Sequence, residues 1–174
     1  MIFSRGEGKF YKANLHCHTV ISDGKLTKEQ IREEYRKKGD YSIVAFTDHR
    51  TYGYHPELTD ETFIALAGIE VDISEDPEKC GGWPHAKCYH LNFYDEQPEV
   101  GKEFPLPTYA YEDMAGQNAY IKERTDAGFC AVTIIPTGPC RIMMTIRIFR
   151  DSGQWRSTIT AANMTASMVS IPEL

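Results

Sequence analysis

A chain of 174 residues fits one domain of ordinary size, and 41% hydrophobic with 25% charged residues is a globular composition that excludes disordered, collagen-like and coiled-coil classes. The net charge of -6 disfavours nucleic acid or an anionic membrane surface as partner, and no apolar run approaches the roughly 20 residues a bilayer needs. The start MIFSRGEGKFYK has no apolar leader, so a cytoplasmic location is expected, and five scattered cysteines without a CxxC pair fit reduced thiols.

In chain order, a first strand is expected at Tyr11 to Leu15, delivering His16 and His18 at its end before a Ser22-Asp23-Gly24 turn. Thr27 with Gln30 three residues on is a capping-box signal, Ile31 and Tyr35 give the following helix an apolar stripe, and Gly39 suits its C-terminal cap. The run Tyr41 to Phe46 reads as a strand covered on both faces and ends in Thr47, Asp48 and His49. A short helix around Asp60 to Ile64, a strand Ala67 to Ile73 with Glu70, and a strand near Lys87 to Tyr94 with His90 follow. Glu112 to Asp126 reads as a helix closed by Gly128, and Phe129 to Val132 as another buried strand. This alternation predicts an α/β fold with a mainly parallel sheet, open or closed into a barrel.

All six histidines lie in the first 90 residues, and His16, His18, Asp23, His49, Glu70 and His90 fall at or near the expected C-terminal strand ends, where α/β sites collect. Alternation along an extended chain turns His16 and His18 to one side, about 6 to 7 Å apart, with Cys17 on the other. Imidazole with carboxylate is the ligand mix for Zn, Mn or Fe, although a lone HxH is as often incidental. His85, after Gly81-Gly82-Trp83-Pro84, and His55, before Pro56, read first as loop histidines, with contact to metal or substrate as the alternative. Arg50 reads first as a solvated arginine and second as a phosphate contact.

His16-Cys17-His18, Ser22-Asp23-Gly24, Thr47-Asp48-His49, Gly68-Ile69-Glu70-Val71 and Tyr89-His90-Leu91, in that order, resemble the motifs of the PHP (polymerase and histidinol phosphatase) superfamily of metal-dependent phosphoesterases. The resemblance covers about residues 10 to 132. It implies a distorted, TIM-like (β/α)7 barrel with two or three divalent ions at its mouth, acting on a small phosphorylated substrate. It also implies that His16 and His18 hold one ion, that Glu70 bridges it to a second held also by His90, and that Asp23 and His49 hold a third. Asp48 would orient a ligand, or serve as a structural turn residue.

The resemblance stops near Val132. The family continues with Asn-His-Pro and later Asp-x-His, whereas this chain has Thr133-Ile134-Ile135-Pro136. The codons TAC AAT CAT CCC for Tyr-Asn-His-Pro become ACA ATC ATC CC when read one base later, which is Thr-Ile-Ile-Pro. The same correction over Gln154 to Ala161 permits Val-Glu-Ile-Tyr-Asn-Asn, typical of the family's next strand. Residues 133–174 carry a net charge of +2 against -8 for the rest, contain no lysine, and show no clear period of 2 or 3.6. They are therefore expected to be out-of-frame text, leaving the C-terminal barrel strands missing. Such a chain would be a metal-dependent phosphoesterase of doubtful turnover, with a metal-binding but catalytically defective fragment as the alternative.

Overall fold

The structure, a computed structural model, describes residues 11–39 and 41–134, together with two strands at 144–151 and 154–161. In chain order the elements are β1 (Lys12–Asn14), α1 (Lys28–Gly39), β2 (Tyr41–Phe46), β3 (Ile64–Ser74), α2 (Pro77–Cys80), β4 (Cys88–Asp95), α3 (Met114–Asp126) and β5 (Phe129–Ile134). They end with β6 (Met144–Asp151) and β7 (Gln154–Ala161).

The capping box forms as the sequence implies. Thr27 Oγ1 accepts from the Gln30 amide at 3.3 Å, and Gln30 Oε1 accepts from the Thr27 amide at 2.9 Å. Helix α1 then lays Ile31 and Tyr35 against Val44 and Phe46 of β2, with Leu58, Phe63 and Ala65 completing that cluster. The alternate β2 residues, Ile43 and Ala45, turn to the other face and meet Leu66 and Tyr94. Burial on both sides is why this strand reads as a continuous apolar run. On β3 the buried residues Ile69, Val71 and Ile73 join Leu91, Phe93, Phe129 and Tyr120 of α3.

The sheet order is β1-β2-β3-β4-β5. The expectation of a mainly parallel sheet is corrected here: β1/β2 and β2/β3 are parallel, but β3/β4 and β4/β5 are antiparallel. The link from β3 to β4 contains only the single turn of α2, too little helix to carry the chain back across the sheet for a parallel return. Among the described residues the sheet is open, with β1 and β5 at its edges.

Two further local readings change. No helix spans Asp60 to Ile64; a 3-10 turn occupies Pro56–Leu58 instead. Asp60 Oδ1 accepts from the amides of Thr62 at 2.7 Å and Phe63 at 2.9 Å, a side-chain turn that leads directly into β3. The span after residue 143, which showed no period, supplies an antiparallel ribbon that pairs Met144 with Ala161 and Asp151 with Gln154. Its Ile, Thr, Phe and Trp content carries the strand propensity that periodicity did not reveal. The Tyr-Asn-His-Pro comparison at Ile135 and Pro136 lies outside the described residues. None of the described helices is long and apolar enough to cross a membrane.

Phe46 has no exposed surface and sits at the centre of the cluster under α1. Phe46→Ala is expected to cost about 3–5 kcal/mol, whereas Trp83→Ala, at a side chain 71% exposed, should change stability by less than about 0.5 kcal/mol. Chemical denaturation curves of the two variants check the contrast.

Candidate metal centre

His16 and His18 leave the C-terminal end of β1, and two hydrogen bonds tie down the segment that carries them. The Tyr94 hydroxyl donates to the Leu15 carbonyl at 2.6 Å. The Thr47 amide donates to the Cys17 carbonyl at 2.9 Å. Cys17 itself packs with the α1 cluster on the opposite side from the imidazoles, where burial raises its thiol pKa to about 12.

Asp48 organises the loop that brings Asp23 round. Fully buried, it accepts through Oδ1 from the Thr19 amide at 2.7 Å and the Ser22 hydroxyl at 2.7 Å, and through Oδ2 from the Thr19 hydroxyl at 2.9 Å. Gly24 closes the loop so tightly that a Cβ there would lie 2.3 Å from the His18 carbonyl oxygen, so only glycine fits this approach. His49 is carried to β3 by a short parallel bridge to Glu70. Arg50 follows with φ 54, in the left-handed region, and its amide donates to the Glu70 carbonyl at 2.7 Å. Its side chain turns to Asp72, donating to the carbonyl at 3.2 Å and the carboxylate at 3.4 Å.

Glu70 is the hub, with 1% of its surface exposed. Its Oε2 lies 2.7 Å from His18 Nε2, 3.5 Å from His49 Nδ1 and 3.7 Å from His16 Nε2, while Oε1 accepts from His90 Nδ1 at 2.6 Å. Asp23 Oδ1 lies 2.6 Å from His18 Nδ1, and its Oδ2 lies 3.7 Å from His49 Nε2. Three overlapping groups have their ligand atoms within 4.8 Å of one another: His16, His18, Glu70; His18, Asp23, His49; and His49, Glu70, His90.

All six residues singled out as ligands therefore converge, with one correction of placement. His90 stands near the start of β4, not at a C-terminal strand end, and the antiparallel direction of β4 is what brings it to the same edge. His85 is exposed in the turn after α2 and takes no part in these groups. His55 is buried edge-on against Phe46 at 5.1 Å, and it too stays outside them.

Two neighbours escaped the sequence reading. Asp72 has Oδ1 3.8 Å from His49 Nδ1, and the Asn92 side-chain amide lies 2.7 Å from His16 Nδ1. Each stands two residues from a chosen ligand, Glu70 or His90, so strand alternation alone could have found them.

The electrostatics show how the carboxylates are kept charged. Burial pushes the Glu70 pKa up, but His18 and His90 together outweigh it and hold the group well below the usual carboxylate range. Burial likewise works against a charged His18, yet Glu70 and Asp23 raise its pKa to about 9. Glu70 also raises His90, His18 lowers Asp23, and burial lowers His16.

His18 Nε2 and Glu70 Oε2 are buried and close, but they are not aligned to share a hydrogen bond and have no other hydrogen-bond partner among the described residues. Orphaned buried polar atoms are uncommon, and a nitrogen and an oxygen converging on one point suit a divalent cation. The donor set fits a metal.

In comparisons by sequence and by structure, no family model, curated protein or solved structure matches this chain.

Metal per chain, measured by elemental analysis, should fall sharply in His18→Ala and Glu70→Gln and stay near the parent value in Cys17→Ser. Unchanged content in both ligand variants would remove the assignment. With a pKa near 9 in the metal-free protein, His18 is protonated at pH 7 and must lose that proton to ligate. Calorimetric titration with Zn in two buffers of different ionisation enthalpy should show proton release, and affinity should rise from pH 6 to pH 8.

Proposed function

We propose that this chain is a metal-dependent phosphoesterase of PHP type, hydrolysing a phosphomonoester or phosphodiester to an alcohol and a phosphate. The observation that carries the reading is the convergence of four imidazoles and a second carboxylate, Asp23, from separate segments around the buried carboxylate of Glu70. The motif order that resembles the PHP superfamily supplies the reaction class. On this reading the open five-stranded sheet is the first part of a barrel, and the site lies on its edge.

Two or three ions of Zn, Mn or Fe, when bound, would supply a hydroxide near neutral pH and positive charge for the phosphoryl oxygens. The chain's own residues would do the rest. His16, His18 and Glu70 would hold one ion, Glu70 and His90 a second, and Asp23 with His49 a third. His49 also stands in reach of Glu70 and His90, so its place is between two of these groups. Asp48 fixes the loop bearing Asp23 through three hydrogen bonds. Arg50 at the same edge is 45% exposed at its side chain, which leaves part of its guanidinium open to an anionic substrate.

A second reading, a metal-binding chain without turnover, is favoured by one observation: the Asn-His-Pro and Asp-x-His motifs of the resembled family are missing after Val132. Hydrolysis of p-nitrophenyl phosphate with added Mn or Zn separates the two. Turnover that disappears in Glu70→Gln supports the phosphoesterase, and metal uptake without turnover supports the second reading. A chain with Tyr-Asn-His-Pro restored after Val132 should gain both stability and rate.

A further inference from the structure

Asn92 is fully buried on β4, directly opposite Glu70 in the β3/β4 register. Its side-chain amide makes its shortest contact, 2.7 Å, with His16 Nδ1, and the Thr47 hydroxyl lies 3.3 Å from the same nitrogen. The other ring nitrogen, Nε2, faces Glu70 Oε2 at 3.7 Å. His16 therefore has one nitrogen aimed into the candidate centre and the other met by an uncharged group from β4.

A neutral imidazole carries a single N–H, so whatever meets Nδ1 decides whether Nε2 keeps a proton or a free lone pair. An asparagine amide can meet Nδ1 in two ways. With its nitrogen toward the ring it donates to Nδ1, and the ring proton then sits on Nε2, where it would block ligation. With its oxygen toward the ring it accepts from Nδ1–H, and Nε2 is left as a ligand. The two ends of the amide are nearly equal in size, so a half-turn needs no repacking. In the described arrangement Asn92 Oδ1 has no hydrogen-bond partner among the described residues, so the half-turn gives up, besides the contact of Nδ2 with the ring, only its long donation to the Tyr94 hydroxyl at 3.3 Å.

We propose that Asn92 is a positioning residue that sets the tautomer of His16: its amide oxygen accepts from His16 Nδ1–H and so presents Nε2 to a divalent cation. The proposal rests on the metal reading given above. Glu70 and His90 lie on the same two strands, so one pairing register places a bridging carboxylate, an imidazole ligand and the tautomer-setting amide together. Asp72 does not compete for the role, because its carboxylate is engaged by Arg50 and its nearest imidazole is His49.

The test follows the His16 ring nitrogens by long-range proton–nitrogen correlation spectroscopy on the full chain, with and without Zn, at a pH where the ring is neutral. Wild type with Zn should show the Nδ1–H form. Asn92→Asp, which can only accept, should show that form even without Zn and should bind Zn at least as tightly. Asn92→Leu, which can do neither, should bind Zn about 10- to 100-fold more weakly in competition with a chromogenic chelator. An Nε2–H ring in metal-free Asn92→Asp, or wild-type affinity in Asn92→Leu, would overturn the proposal. If Asn92→Leu does not fold, the Asp variant still decides. A wild type that takes up no Zn would sink the metal reading instead, and the tautomer in metal-free Asn92→Asp would still report on Asn92.

Discussion

A carboxylate buried within a sheet is costly unless positive charge meets it, and Glu70, almost wholly removed from water, is met from four sides by imidazoles. Leaving such a group unpaired costs several kcal/mol, so the fold must deliver partners to it or give up its charge. The imidazoles of His18 and His90, whose pKa values Glu70 raises, meet that demand, and a divalent ion would supply positive charge at the same place. Both are the same electrostatic constraint solved by different cations. The remaining features of the site serve to bring nitrogen atoms to this oxygen pair.

Three chain segments make that delivery. The first returns from β1 through the loop pinned to buried Asp48, with Gly24 allowing backbone to press on backbone. The second follows β2, where the left-handed turn at Arg50 ties its amide to the Glu70 carbonyl and keeps His49 alongside. The third is β4, whose reversal sets His90 diagonally across from Glu70 and Asn92 directly opposite it. Apolar clusters on both faces of the sheet hold these segments, so the polar cluster rests on packed cores.

The same packing separates chemistry from structure among residues of one type. Cys17 lies between two candidate ligands in sequence, yet strand alternation turns it into the α1 cluster. His55 is drawn into an apolar setting against Phe46, and His85 is left in an exposed turn. Four of the six histidines share one neighbourhood because the segments after β1 and β2 and the strand β4 reach the same edge of the sheet around Glu70 of β3.

Much of this was legible in the chain. The capping box Thr27 to Gln30, the buried strand Tyr41 to Phe46 and the helix ending at Asp126 depend on local patterns, and local hydrogen bonding and alternation are enough to form them. The six polar residues that converge were legible too, as a histidine and carboxylate set that follows β1 and β2 and stands on β3 and β4. The Asp60 turn was misread as a helix, since its side chain satisfies the same amides that a helix start would leave open. What sequence determined by itself was the identity of the six polar residues and the strands that precede or carry them. The direction of β4, and with it the pairing of Glu70 with Asn92, was decided only by tertiary structure, because strand direction depends on how the connection returns and which edge it meets.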